Sequence, residues 1–123
     1  MNKIYIPTLF ALALLAGLHF MAMDGSWYVR YPGLDIFMHI LGGIGLALSF
    51  YWIFTTLFPR YSSPSFWHLI FWTFVAGVAW EVFEAMNSIA GAPVGTTKYY
   101  WDTAKDLVND TLGAIVATYF LKK

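Results

Sequence analysis

The 123-residue chain contains no cysteine. That excludes disulfides and thiolate metal sites, and says nothing about redox compartment. Charge is scarce as well: Asp, Glu, Lys and Arg make up 11% of the residues, against about 25% in an ordinary soluble domain. So few polar groups cannot cover a water-facing surface, which rules out a soluble helical domain with a large core. Basic and acidic residues number seven each, so the net charge is zero. No basic excess points to nucleic acid or to a strongly anionic partner. Internal repeats and low-complexity segments are missing too, so residues 1–123 read as one domain.

What is present is apolar: 59% of the residues are hydrophobic, 20% are aromatic, and the mean hydropathy is +0.61. Four apolar runs, at about 4–23, 34–58, 66–90 and 103–121, approach the roughly 20 residues needed to cross a bilayer. The expected fold class is all-α, a polytopic membrane protein built as a compact bundle of four transmembrane helices. The first run follows Lys3 as a signal peptide would. Its core is long, however, and Met21-Ala22-Met23 is a poor cleavage site, so it reads as a retained helix. Ala13 and Gly17 give that helix a small-residue face for close contact, and His19 is expected to be hydrogen-bonded or interfacial. Trp27, Tyr28 and Tyr31 in the first loop, and Tyr99, Tyr100 and Trp101 in the third, suit a membrane interface. Pro59 to Ser65 forms a polar turn, with Ser65 as N-cap of the third helix.

Polar groups interrupt these runs in stripes. Asp35 and His39 stand at i, i+4 on one face of the second run, continued by Gly42, while Gly43 and Gly45 thin the helix for a neighbouring backbone. In the third run Gly77, Glu81, Glu84 and Ser88 fall within about 60–80° of one another, with Asn87 beside them. In the fourth, Asp102, Asp106, Asn109 and Gly113 share a face about 40–60° wide. Asp110 lies at its edge, and Asp102 also suits the N-cap of that helix.

An ionisable side chain at membrane depth costs roughly 2.5–3.5 kcal/mol on insertion scales. A network that only fixes helix packing needs one or two polar groups; His39 with two Glu and two or three Asp exceeds that. Alternating spans put the first and third loops on one side, so all three stripes meet in the same half of the bilayer. Lys3, Arg60, Lys122 and Lys123, against Arg30 and Lys98, place both termini in the cytoplasm by the positive-inside rule. The cluster then opens toward the extracytoplasmic side.

Carboxylates this close ionise together only when a cation or shared protons compensate them. His with Glu and Asp and no thiolate suits Zn, Mn or Fe, and with more oxygens Mg or Ca. The expected metal ligands are His39, Glu81, Glu84 and Asp106, with Asp102 and Asp110. His39, Asp35 and Glu81 are the expected catalytic groups, His39 as ligand or general base and Asp35 orienting its ring. Asn109 and Ser88 are expected to touch substrate, and Gly91 to Thr97 to act as a lid.

The pattern Asp35-x3-His39-x2-Gly42-Gly43, Trp80-Glu81-x2-Glu84, then Asp102-x3-Asp106-x2-Asn109-x3-Gly113-Ala114 resembles the VanZ-like group of small bacterial membrane proteins. It is similar in particular to the uncharacterised Glu-x-x-Glu branch, over about residues 35–116. The resemblance implies an integral protein of the bacterial envelope in the plasma membrane. The founding member of that group is linked to glycopeptide (teicoplanin) resistance. A second likeness is to the small bacterial diacylglycerol kinase, through Glu84-Ala85-Met86-Asn87-Ser88-Ile89 and Ala104-Lys105-Asp106. Here Gly91 stands where that motif has its second Glu, four spans replace three, and the cluster faces away from cytoplasmic ATP.

These features converge on a divalent-cation site acting on a lipid or a lipid-linked envelope precursor, as a metal-dependent hydrolase or transferase. Two other classes fit the same residues: an ion- or proton-coupled transporter using the acids as a relay, and a module that captures lipid or antibiotic without turnover. The relay needs polar groups on the cytoplasmic side, where the runs offer Thr8, Ser49, Thr55, Thr56, Thr73 and Thr118. Oligomeric state is not legible from these patterns.

Overall fold

Long runs without proline beyond the first turn form long helices, and these account for most of the described chain. The computed structural model describes residues 3–58, 60 and 63–123. Pro59, Tyr61 and Ser62 of the expected polar turn lie outside them, as do Met1 and Asn2. The elements are α1 (Tyr5–Asp24), α2 (Trp27–Arg30), α3 (Leu34–Leu57), α4 (Phe66–Met86) and α5 (Thr97–Leu121). Pro7 sits in the first turn of α1, where its missing N–H is not needed. Ser65 caps α4 by accepting from the His68 N–H at 3.1 Å.

Three boundaries differ from the sequence expectation. The first loop is not wholly irregular, because Trp27–Arg30 winds into the short α2 after Ser26 takes a left-handed φ of 55°. α4 ends at Met86 rather than 90: Asn87 Nδ2 donates to the Phe83 carbonyl at 2.7 Å, and Ser88 turns to a φ of 57°. Ser88 therefore leaves the polar stripe of α4. α5 starts at Thr97 rather than 103, because Thr96 caps it, accepting from the Tyr99 N–H at 3.2 Å and donating to the Pro93 carbonyl at 2.7 Å. Asp102 is thus inside the helix and does not cap it.

Among the described residues three helices, α1, α3 and α4, are long and apolar enough to cross a membrane. The sequence led to an expectation of four. α5 is a 25-residue helix, but Lys98, Asp102, Lys105, Asp106 and Asp110 charge its first half and keep it outside that class.

The packing is inverted relative to a soluble protein. Buried positions include Thr8, Thr73, Glu81, Asp106, Asn109, Asp110 and Thr118, while Phe10, Phe20, Trp67, Phe71, Val108 and Phe120 are exposed. An apolar exterior around a partly polar interior suits hydrocarbon, not water. α3 lies centrally, packed on α1, α4 and α5, and α5 also packs on α4. Two reciprocal glycines set the α3–α5 approach. A Cβ on Gly43 would run into the Asp110 carbonyl, and one on Gly113 into the Ile40 carbonyl. Backbones meet there, as small residues permit in membrane bundles. Below that contact, Ala47, Leu48, Ala114 and Ala117 form the apolar core with Ala11 of α1. The expected Ala13–Gly17 face is not part of it, since a Cβ on Gly17 would meet nothing within 4 Å.

Candidate metal centre

The start of α3, the end of α4 and the start of α5 share one end of the bundle, so the polar stripes meet. His39 is the hub. Its Nδ1 is hydrogen-bonded to Asp110 Oδ1 at 3.0 Å. Its Nε2 lies 3.7 Å from Asp35 Oδ1, one turn back on α3, and 3.7 Å from Asp106 Oδ2 on α5. One ligand atom from each of Asp35, His39 and Asp106 lies within 4.8 Å of the other two. Asp106 and Asp110 are buried, while Asp35 and His39 are half-buried, so the group is reached from the Asp35 side.

Lys105 closes a ring on the outer side. Its Nζ is 3.0 Å from Asp35 Oδ2, 3.5 Å from Asp106 Oδ1 and 3.5 Å from Asp102 Oδ1. Each of Asp35 and Asp106 therefore divides its oxygens, one toward Lys105 and one toward His39. The Asp106 oxygen on the Lys105 side is ion-paired but makes no hydrogen bond. Lys105 is a member of the cluster that the polar stripes alone do not announce. Its signal was a lone Lys three residues after Asp102 and next to Asp106, on a helix face otherwise acidic.

Glu81 is buried, at 5% exposure, and faces α5, where Thr103 Oγ1 donates to its Oε2 at 3.1 Å. Its other oxygen, Oε1, is buried without a hydrogen-bond partner among the described residues, as is Asn109 Nδ2. Glu84 is half-buried on the same stripe. Gly77 leaves room for Asp110, since a Cβ there would lie 2.7 Å from Oδ2. Tyr28 of α2 is hydrogen-bonded to His19 Nδ1 at 2.8 Å, which gives His19 its expected partner. Burial, with Asp35 and Glu84 nearby, pushes the Tyr28 phenol above its ordinary pKa.

The expected site residues thus fall into groups. Asp35, His39, Asp106 and Asp110 come together directly, and Asp102 joins through Lys105. Glu81 joins α5 through Thr103. Ser88 lines a separate cavity of about 330 Å³ with Ala85 and residues 90–94, which neither His39 nor any of the acids borders. The loop after α4 still passes close to the cluster, for a Cβ on Gly91 would lie 3.4 Å from Asp102 Oδ2.

The chain belongs to the DUF2238 family, described as predicted membrane proteins, which it matches over residues 2–123. It is this family that matches, not the VanZ-like group or the small diacylglycerol kinases. No curated protein and no solved structure matches the chain.

Proposed function

We propose that this DUF2238 member binds a divalent cation between Asp35, His39 and Asp106. The cation would act there on the head group of a lipid or lipid-linked envelope precursor in the bacterial plasma membrane. One observation carries this reading. Asp110 ties Nδ1 of His39, which leaves Nε2 3.7 Å from one oxygen each of two carboxylates on different helices. A carboxylate on the far nitrogen is the usual outer partner of a metal-binding His, fixing its tautomer and direction. The 3.7 Å spacings are slightly wider than the edge of about 3.4 Å of a tetrahedron built on ~2.1 Å bonds. Three protein ligands leave a fourth position open, the arrangement of catalytic rather than structural sites. A cation there would polarise a phosphoryl or carbonyl oxygen, or lower the pKa of a bound water. Glu81, with its buried and unpartnered Oε1, is the carboxylate available as base.

Charge supports the same reading. Six carboxylates, Asp35, Glu81, Glu84, Asp102, Asp106 and Asp110, share this end of the bundle with Lys105 and His39. Were all six ionised, even a protonated His39 would leave negative charge for a cation to compensate.

We read α5 as the fourth span. Lys105, Asp106 and Asp110 meet α3, and Asp110 also α4, while Val108, Leu112, Ile115, Val116, Tyr119 and Phe120 are exposed. Lys122 Nζ donates to Ser63 Oγ at 2.9 Å, so the C-terminus sits beside the α3–α4 turn. Lys3, Arg60, Lys122 and Lys123 then mark the cytoplasmic end; Lys105, at the opposite end, is ion-paired with acids.

The test is elemental analysis and calorimetry on protein purified in detergent. We expect one equivalent of cation, lost in His39→Ala and in Asp106→Asn. Metal-free wild type whose Tm ignores both chelators and added Zn²⁺, Mn²⁺ or Mg²⁺ would sink the proposal.

A relay reading has one observation of its own. Thr73 Oγ1 and Thr118 Oγ1 are buried without partners deeper in the bundle, where water could continue inward from Asp110. Proton flux into reconstituted vesicles, abolished by Asp110→Asn, would favour it.

A further inference from the structure

We infer that Lys105 sets which cation the site accepts, by holding one oxygen of each carboxylate ligand out of reach. This inference rests on the cation site proposed above and adds its selectivity. The atoms divide cleanly. Asp35 Oδ2 and Asp106 Oδ1 face Lys105 Nζ at 3.0 and 3.5 Å, while Asp35 Oδ1 and Asp106 Oδ2 each face His39 Nε2 at 3.7 Å. A cation entering beside Nε2 meets one oxygen from each carboxylate, not two. The available set is one nitrogen and two single oxygens, three ligands on three residues.

That set is poor for Ca²⁺, which takes six to eight oxygens and relies on bidentate carboxylates. It is better for a small transition cation such as Zn²⁺, which is content with four ligands and favours imidazole nitrogen. Lys105 also reaches Asp102 at 3.5 Å, so a third carboxylate is drawn to the ammonium, away from Nε2. The geometry asks nothing of Lys105 but its donor position. It acts through Asp35 and Asp106 as a positioning residue. Its side chain is 40% exposed, so a change there leaves the buried α3–α5 contact alone.

The experiment measures Zn²⁺, Mn²⁺ and Ca²⁺ affinities by calorimetry for the full chain in detergent, for wild type, Lys105→Met and Lys105→Arg. Met keeps the stem and loses the donor; Arg keeps a donor to both outer oxygens. Wild type is expected to prefer Zn²⁺ over Ca²⁺ by about 100-fold or more. Lys105→Met should narrow that ratio at least about tenfold, chiefly by tightening Ca²⁺ as the freed oxygens become bidentate. Lys105→Arg should hold the wild-type ratio. Lys105→Leu, run in parallel, likewise lacks a donor and gives the same comparison should the Met variant not fold. A ratio unchanged in the donor-free variants overturns the role of Lys105 and leaves the cation site standing. No binding of any cation by wild type overturns the site and this inference together.

Discussion

His39 and Asp110 stand 71 residues apart in the chain and are joined by a 3.0 Å hydrogen bond between α3 and α5. That bond decides which imidazole nitrogen is left for a ligand. Asp110→Asn keeps the side-chain shape and removes the charge that polarises the ring. Outer-partner changes of this kind cost about 10–100-fold in metal affinity. Calorimetry should find that loss with little change in Tm. An unchanged affinity would mean that Nδ1 does not matter to the site.

The α3–α5 register behind that bond depends on Gly43 and Gly113. A methyl at either position would meet the main chain of the facing helix, and main chain cannot rotate aside as a side chain does. Overpacking of this kind costs about 1–3 kcal/mol, so Gly43→Ala and Gly113→Ala should lower the Tm in detergent and weaken cation binding together. Gly17→Ala is the control. Nothing lies within 4 Å of its added Cβ, and replacing a helix-interior Gly by Ala gains up to about 1 kcal/mol.

These glycines also show what periodicity can and cannot reveal. Long uninterrupted hydrocarbon segments put α1, α3 and α4 within a few residues of their expected bounds, because nothing inside them competes with the helix. Caps governed the errors. Thr96 begins α5 six residues early, turning Tyr99, Tyr100 and Trp101 from loop into helix, and the Asn87–Ser88 turn removes Ser88 from the α4 stripe. The meeting of Asp35, His39, Asp106 and Asp110 was legible from i, i+4 spacing and from the alternation of spans. Which carboxylate reaches Nδ1 was not, since the expectation named Asp35 and the bond belongs to Asp110. Helical angle places residues on a face; the depth of one helix against another is set by the Gly43–Gly113 contact.

Thr73 and Thr118 offer a test by sign. Thr8, Ser49, Thr55 and Thr111 each donate to the carbonyl four residues back. Thr73 Oγ1 and Thr118 Oγ1 do not, and both are fully buried. An unmet buried hydroxyl costs about 1–3 kcal/mol, so Thr73→Val and Thr118→Val should each raise the unfolding free energy by about 1 kcal/mol. Denaturation in mixed micelles reads the sign. A loss of stability instead would show that the hydroxyls hold water and would strengthen the relay reading.

Glu81 and Thr103 make the last case. Thr103 Oγ1 is the donor to Oε2, and Oε1 has none. Thr103→Val therefore leaves a buried carboxylate without a hydrogen bond, a loss of about 2 kcal/mol for a bond to a charged group. Glu81→Gln keeps an acceptor for Thr103 but removes the charge, and neutral hydrogen bonds are roughly half as strong. In that background Thr103→Val should cost only about 1 kcal/mol, a coupling of about 1 kcal/mol in the double-mutant cycle. Added Zn²⁺ discriminates further. If Oε1 serves the cation or its water, Glu81→Gln lowers activity or affinity while raising the metal-free Tm. Additive losses in the cycle, with no effect of Zn²⁺, would instead make Glu81 a bystander held by packing alone.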